Sequence, residues 1–353
     1  MAFLRQHPLL ALLALFICGS LLTALLGFWH IPAAAFLGYL VAGIFFGISG
    51  SSAQVPPVIF RLGQACLGLL IANWVTPASV AVILSDWPLM LMGLCTTLVS
   101  SVLIAWLLIR LAKLSPLAAA WGCAPGAASA VVASAALAGA DSRMVATLQY
   151  LRILAAILTA TVVSHWLPAT PEPLSIPTVA LTPSVAAFLA ALGVVALGVV
   201  AGAKIPNGAN LIPLVIGVGL NAWHPGFLYL PSAVSVVAFA AIGMHIGLRF
   251  DRATLWHIGR QLPVLLLAVF ALTILCCLWA ALLAWGLGRD FGELFYALSP
   301  GGLDAMAIMA LESGSPLPLV LAMQTLRILL VVLLGGQLVK CVLWLSARAS
   351  RTS

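Results

Sequence analysis

The sequence predicts an all-α polytopic membrane protein made of two inverted repeats, each with about five transmembrane helices and one re-entrant or broken helix. Three features predict this fold: an apolar composition, an internal duplication, and opposite charges in matching loops. The 353 residues are 64% hydrophobic and only 7% charged, and their mean hydropathy is +1.21. Soluble domains carry about 25% charged residues. A lipid bilayer is therefore the solvent that suits this surface.

Apolar runs of membrane-spanning length recur along the chain. A transmembrane helix needs about 20 mostly apolar residues, and runs of that kind cover residues 8–28, 87–109, 144–167 and 262–287. The first run follows Arg5 and resembles a signal peptide. Because further spans follow it and a counterpart lies later in the chain, we interpret it as a retained first helix.

The cysteines and histidines form no recognisable site in the sequence. None of the seven cysteines belongs to a CxxC pair, and none of the six histidines belongs to an HxH or HExxH motif. The sequence therefore predicts no catalytic residue, no metal and no cofactor, and it does not indicate an enzyme. The net charge of +7 is typical of cytoplasmic loops that face anionic lipid, and direct binding of nucleic acid is the weaker interpretation.

An internal duplication becomes visible when the chain is aligned with itself at an offset of 175 residues. The identical pairs are Pro125 and Pro300, Gly126 and Gly301, Gly139 and Gly314, Gln149 and Gln324, Arg152 and Arg327, and Ile153 and Ile328. We predict a first membrane repeat at residues 1–168 and a second at residues 183–353. The proline-rich stretch at 169–182 joins them, because repeated prolines prevent a continuous helix.

Charges in matching loops indicate that the two repeats have opposite orientations. The loop at residues 74–86 has no Lys or Arg, whereas the equivalent loop of the second half carries Arg249, Arg252 and Arg260. Under the positive-inside rule these loops lie on opposite sides of the membrane, so each half crosses it an odd number of times. We expect a multi-pass protein of a bacterial inner (cytoplasmic) membrane with both termini in the cytoplasm.

One element in each half is interrupted by proline and glycine. The interruptions read CAPGAAS from Cys123 and LSPGGLD from Leu298. Proline removes a backbone donor and glycine permits a break, and unwound backbone at membrane depth lines a cavity or is buried by protein. Interrupted segments at matching positions of inverted halves indicate the binding site of a secondary transporter. The alternative is a kink that serves packing.

The candidate solute site combines these breaks with polar residues of the following helices. A half-helix that starts at a break offers unpaired N–H groups to an anion. Arg152 and Arg327 lie near the expected bilayer midplane, where charge is costly. They could bind solute, hold backbone carbonyls at a broken helix, or pair with Asp304. The predicted substrate-binding residues are Pro125, Gly126, Ser129, Gln149, Arg152, Pro300, Gly301, Gly302, Gln324 and Arg327.

Asp304 breaks the symmetry of the repeat, because its counterpart is Ser129. It follows Pro300 and two glycines at the predicted start of a half-helix, where a carboxylate is stabilised by capping and by the helix dipole. Asp304 could also couple transport to H+ or Na+. Both roles, helix cap and ion-coupling site, stay open at this point.

The twice-used pattern of Pro-Gly followed by a glutamine and an arginine resembles the AbrB family of bacterial inner-membrane proteins. The resemblance implies a relation to inverted-repeat carriers of the cation-proton antiporter and anion transporter superfamily. Members are also labelled ammonia monooxygenases or transcriptional regulators. The chain offers neither clustered metal ligands for the first activity nor a soluble DNA-reading domain for the second.

The function that the sequence favours is secondary-active transport of a small anionic solute across the membrane. The expected partners are the lipid bilayer, the solute, and H+ or Na+. Direct contact with nucleic acid is not expected. The alternative is a membrane protein with an indirect role in the regulation of gene expression, exerted through a metabolite or a partner protein.

Overall fold

The computed structural model is all-helical over the residues it describes. These are residues 8–29, 31, 33–73, 85–126, 128–166, 185–205, 208–223, 227–250, 252 and 259–350. They form fourteen α-helices and one 3-10 turn, with no strand among them. The predicted linker at 169–182 lies outside the described residues, as do Arg5 and the side chain of Ser129.

Seven helices belong to each half of the sequence. In the first half they are α1 Pro8–Phe28, α2 Ala34–Ile48, α3 Pro57–Ala72, α4 Trp87–Leu111, α5 Pro116–Cys123, α6 Ala128–Leu137 and α7 Ser142–Trp166. In the second they are α8 Val185–Ala201, α9 Gly208–Trp223, α10 Ser232–Gly247, α11 Leu262–Leu287, α12 Phe291–Leu298, α13 Leu303–Glu312 and α14 Leu317–Ser350.

Five of these helices are long and apolar enough to cross a membrane: α1, α4, α7, α11, and α8 with the 3-10 turn that extends it to Lys204. The helices α2, α3, α9 and α10 are apolar but shorter. Large apolar side chains such as Leu9, Leu137 and Trp285 are exposed on the helix surfaces, as expected for surfaces that face lipid. The prediction of an all-α protein with several membrane-length helices is confirmed.

Side chains at the loop ends explain where several helices begin. Ser115 caps α5 by accepting a hydrogen bond from the Ala118 N–H at 3.3 Å. The carboxylate of Asp290 caps α12 by accepting from the Glu293 N–H at 2.7 Å. Asp141 caps α7 in the same way, from the Arg143 N–H at 3.0 Å. Serine and aspartate are preferred at these positions because they pair N–H groups that the helix leaves open.

The chain divides into two compact units, and each unit contains segments from both halves of the sequence. The first unit comprises Met1–Leu84, Pro168–Arg252 and Leu311–Pro318, and the second comprises Ser85–Leu167, Ala253–Ala310 and Leu319–Ser353. The first unit therefore holds α1 to α3 and α8 to α10. The predicted repeat boundaries describe the sequence, and the compact units cut across them.

In the first unit, glycines bring α2 and α10 into backbone contact. A Cβ added to Gly243 would overlap the carbonyl oxygen of Phe36, and one added to Gly43 would lie 3.0 Å from the Cα of Gly247. Small residues permit such close approach between helices in membranes. Because the contacts advance along both helices together, α2 and α10 run in the same direction.

A matching contact joins α3 and α9. A Cβ on Gly68 would overlap the carbonyl oxygen of Asn210, and one on Gly217 would lie 2.5 Å from the Cβ of Ala72. The helices α3 and α9 thus also run in the same direction.

The helix α3 has the opposite direction to α10. Phe60 stacks on the His245 ring at 3.8 Å between centroids, and a Cβ on Gly63 would lie 3.0 Å from the Ala238 oxygen. From the first contact to the second, the residue number rises along α3 and falls along α10, as expected for antiparallel helices. Because α2 runs with α10 and α9 runs with α3, α2 and α9 have opposite directions.

Candidate functional site

The second unit contains both interrupted elements, and the helices break where the Pro-Gly motifs predicted. Helix α5 ends at Cys123 and α6 begins at Ala128, while α12 ends at Leu298 and α13 begins at Leu303. Ala124 and Ser299 leave the helical conformation with ψ of 125° and 136°. Gly302 has φ +85°, a left-handed conformation that glycine adopts without strain.

Two buried glutamines cap the half-helices that end at these breaks. The Gln149 side-chain amide donates to the carbonyl oxygens of Trp121, Gly122 and Ala124 at 3.0, 3.2 and 3.0 Å. The carbonyls at a helix end have no partner within the helix. The amide of Gln149, which lies on α7, supplies that partner.

Gln324 on α14 makes the equivalent contacts in the second half. Its amide donates to the oxygens of Tyr296, Ala297 and Ser299 at 2.9, 3.4 and 3.1 Å. Each of these acceptors lies 175 residues after its counterpart in the first half. The repeat seen in the sequence therefore extends to individual hydrogen bonds.

Arg152 connects the two breaks. Its Nη1 donates to the Ala124 oxygen at 2.7 Å and its Nη2 to the Gly126 oxygen at 3.4 Å. Its Nε donates to the Pro300 oxygen of the other break at 3.1 Å. A cation at the end of a helix interacts favourably with the helix dipole.

Arg327 makes fewer contacts with the backbone. Its Nη1 donates to the Ser299 oxygen at 2.9 Å and its Nη2 donates to the Oε1 of Gln324. Among the contacts described for the two arginines, both hold backbone carbonyls and neither pairs with Asp304. This is the carbonyl-holding role that the sequence left open. The sequence-based expectation that solute meets the arginines at the start of the second half-helices stays a prediction.

The two guanidinium groups lie in a buried and electrostatically unfavourable environment. Arg152 is 1% exposed and Arg327 is 4% exposed. The two groups donate to the carbonyl oxygens of adjacent residues, Pro300 and Ser299, so two like charges lie close together and repel each other. Within the described part of the chain, neither has a carboxylate partner. Burying an uncompensated cation costs several kcal/mol, about as much as a buried ion pair loses when one partner is removed.

Four buried polar atoms near the breaks have no hydrogen-bond partner among the described residues. They are the Oε1 of Gln149, the Nε of Arg327, the Oγ of Ser299 and the Nε1 of Trp121. Sequence reasoning missed Ser299 and Trp121 because it selected the Pro-Gly turns, the half-helix starts after them, and the Gln and Arg of the next helix. Trp121 lies in the half-helix before the first break, and Ser299 directly follows the half-helix before the second.

The remaining predicted site residues lie at or beside the breaks. Pro125, Gly126 and Gly301 are buried, and Gly302 is half-buried. Asp304 lies in the first turn of α13 and is half-buried. Ser129 lies in the first turn of α6.

Comparison with known proteins identifies the family. The family model described as "Transition state regulatory protein AbrB" matches residues 36–343. A protein of Escherichia coli (strain K12) named "Putative regulator AbrB" is 38% identical over 315 residues, which cover 87% of this chain and 89% of that protein. No solved structure matches the chain significantly. Since the matched region contains both interrupted elements and both arginines, the chain belongs to the AbrB family.

Proposed function

We propose that this protein is a secondary-active carrier of a small anionic solute, and that the solute binds at the two helix breaks. The observation that carries the proposal is the pair of buried, like-charged guanidinium groups of Arg152 and Arg327. They donate to adjacent carbonyl oxygens at the second break, and no carboxylate partner is described for either. A bound anion would offset this charge. Ionisable residues inside membrane helices commonly mark a substrate or ion pathway.

We further propose that the two halves are inverted repeats. The opposite directions of the equivalent helices α2 and α9 support this arrangement, as do the opposite charges of the matching loops. Inversion requires an odd number of crossings in each half. In the first half α1, α2, α3, α4 and α7 supply five crossings if α5 and α6 form a re-entrant hairpin, and α12 and α13 would do the same in the second half.

Differences between the two halves suggest how the carrier alternates. Arg152 donates its Nε to the Pro300 oxygen, whereas the Nε of Arg327 is unpartnered. Arg327 donates to the Oε1 of Gln324, whereas the Oε1 of Gln149 is unpartnered. In an exchanged state, Arg327 would use its Nε on the first break and Arg152 would donate to the Oε1 of Gln149, while the two bonds of the present state would be lost. The number of these hydrogen bonds would be unchanged. Two states of similar energy that face opposite sides are what alternating access requires.

Asp304 is the proposed coupling residue, for H+ or Na+. It lies in the first turn of α13, directly after the second break. Its counterpart Ser129 has no ionisable group, so coupling through this position would act in one half only.

A second candidate function is an indirect role in regulation of gene expression, favoured by the name of the Escherichia coli relative. A carrier that changes the cytoplasmic concentration of a metabolite could produce such an effect without contacting DNA. Co-purification of a partner protein, together with absence of transport, would favour this candidate.

Transport is tested in two stages. First, anionic metabolites are compared between cells that lack the protein and cells that overproduce it. The anions that differ are then assayed for uptake into proteoliposomes with wild-type protein, Arg327→Met and the control Arg348→Met, which changes an arginine of the C-terminal turn of α14. We expect Arg327→Met to lose flux and Arg348→Met to keep it. Equal flux in all three proteins would refute the proposal.

A further inference from the structure

We infer that the solute's anionic group is a single carboxylate, bound in the second half only, by the Nε–H of Arg327 and the Oγ–H of Ser299. This inference rests on the proposed function and makes it more specific. It adds Ser299 as a binding residue and assigns the two arginines to different tasks.

The two donors belong to residues that are in direct contact at the second break. Arg327 Nη1 donates to the carbonyl oxygen of Ser299 at 2.9 Å, so the guanidinium group lies against Ser299 itself. Arg327 is 4% exposed and Ser299 is 1% exposed. The Nε of Arg327 and the Oγ of Ser299 are both unpartnered among the described residues. Buried polar atoms are rarely left unpaired, and a ligand is one explanation where two lie together.

The first break lacks both donors. Arg152 uses Nε, Nη1 and Nη2 on the carbonyl oxygens of Pro300, Ala124 and Gly126. The residue that corresponds to Ser299 is Ala124, which has no hydroxyl group. Arg152 is therefore a positioning residue that holds the two breaks, and the binding donors belong to the second half.

The number of donors indicates the class of anion. Each Nη group of Arg327 already donates one hydrogen bond within the protein, so Nε is the guanidinium nitrogen that has no partner. A phosphate group, with three or four oxygens, is commonly bound by more donors than this nitrogen and one hydroxyl group supply. One N–H and one O–H suit the two oxygens of a carboxylate. Helix α13 begins at Leu303, and the positive end of its dipole also favours an anion. The negative charge of Asp304 in its first turn disfavours a doubly charged group.

The test uses purified full-length protein in detergent. Thermal unfolding is followed by tryptophan fluorescence in the presence of sodium acetate, propionate or lactate, and the unfolding midpoint is compared with that in sodium chloride and in sodium sulfate at equal ionic strength. A ligand that binds the folded state raises the midpoint in a concentration-dependent way. We expect each carboxylate to raise the midpoint above its value in sodium chloride and to saturate at a finite concentration, whereas sulfate, which stabilises folded proteins non-specifically, should show no saturation.

Three variants make the test specific. Ser299→Ala should raise the apparent Kd for the carboxylate about tenfold, because one hydrogen bond to a charged group is lost. It should fold, since alanine occupies the equivalent position 124. Ser299→Thr keeps the hydroxyl group and should retain binding. The matched control Ala124→Ser adds a hydroxyl group at the first break and should leave the Kd of the native site unchanged.

The outcomes separate this inference from the proposed function. No carboxylate effect, an effect of sulfate alone, or an unchanged Kd in Ser299→Ala would overturn the subsite. Carboxylate flux in proteoliposomes with the same KM in wild type and Ser299→Ala would overturn the subsite while transport stands. Carboxylate binding that depends on Ser299, in a protein that moves no anion, would support the subsite and overturn the carrier.

Discussion

Arg152 and Arg327 provide a direct comparison between a positioning and a binding role. Replacing either arginine by methionine removes one buried cation and the repulsion between the two arginines. Because both variants gain stability from this in the same way, the gain largely cancels when their stabilities are compared. Each also loses one strong bond from Nη1, to Ala124 at 2.7 Å or to Ser299 at 2.9 Å. Both of those carbonyl oxygens keep a second donor, the amide of Gln149 or Gln324.

The remaining contacts differ between the two arginines. Arg152→Met also removes the donors to the oxygens of Pro300 at 3.1 Å and Gly126 at 3.4 Å. A hydrogen bond to a charged group contributes about 1.5–3 kcal/mol, and a bond of 3.4 Å counts for little. Arg327→Met loses only its bond to Gln324 on the same helix and removes an unpartnered donor.

We therefore expect Arg152→Met to lower the free energy of unfolding by about 2–3 kcal/mol more than Arg327→Met does. The measurement is reversible unfolding in mixed micelles, titrated with a denaturing detergent and followed by tryptophan fluorescence. Arg327→Met should be near wild-type stability yet lose flux. Equal stability of the two variants, or a greater loss in Arg327→Met, would refute the assignment of the positioning role to Arg152.

Two further predictions concern the first unit and the orientation of the repeats. Gly247→Ala should destabilise the protein by about 1–3 kcal/mol, since its Cβ would overlap the Leu40 oxygen, whereas the control Gly219→Ala meets nothing within 4 Å and should be neutral or slightly stabilising in the same unfolding assay. Reporter enzymes fused after Ser79 and after Thr254 should report periplasm and cytoplasm respectively, and finding both on one side would exclude inverted repeats.

The position of the helix breaks could be predicted from the sequence because proline and glycine act locally. Pro125 and Pro300 cannot supply an N–H to a helix, whatever surrounds them. The membrane-length helices were predictable for a similar reason, since length and apolarity are properties of one segment. Both predictions depend on residues that lie next to each other in the chain.

The partners of Gln149 and Arg152 could not be predicted in this way. Both bind backbone carbonyl oxygens more than 20 residues away, and a carbonyl group has no signature in the sequence because every residue has one. The sequence indicated that these side chains lie near the breaks. For the arginines it left open that they hold backbone carbonyls, but it did not indicate which carbonyls, and it assigned the glutamines to solute binding.

The two compact units illustrate a further limit of the sequence repeat. Self-alignment pairs equivalent segments, but the packing joins non-equivalent ones: α2 with α10, and α3 with α9. The role of glycines at these crossings, such as Gly243 and Gly68, is to leave room for a carbonyl group of the facing helix, and that carbonyl is known only from the structure. Each compact unit is therefore built from helices of both halves of the sequence.

The hydrogen bonds at the two helix breaks are of two kinds: those that are equivalent in the two halves and those that differ between them. The bonds of Gln149 and Gln324 are equivalent and satisfy carbonyls that any broken helix would expose, so they serve the fold. The differences include the partners of Nε and Nη2 of each arginine, the Oε1 of each glutamine, and Ser299 against Ala124. A structural role alone gives no reason for the Nε of Arg327 and the Oγ of Ser299, donors of two residues that are in contact, to be without a partner among the described residues. The proposed ligand in the second half would pair the Nε of Arg327 and the Oγ of Ser299. The proposed exchange of arginine bonds between the halves would explain why the Nε of Arg327 and the Oε1 of Gln149 are unpartnered in this state.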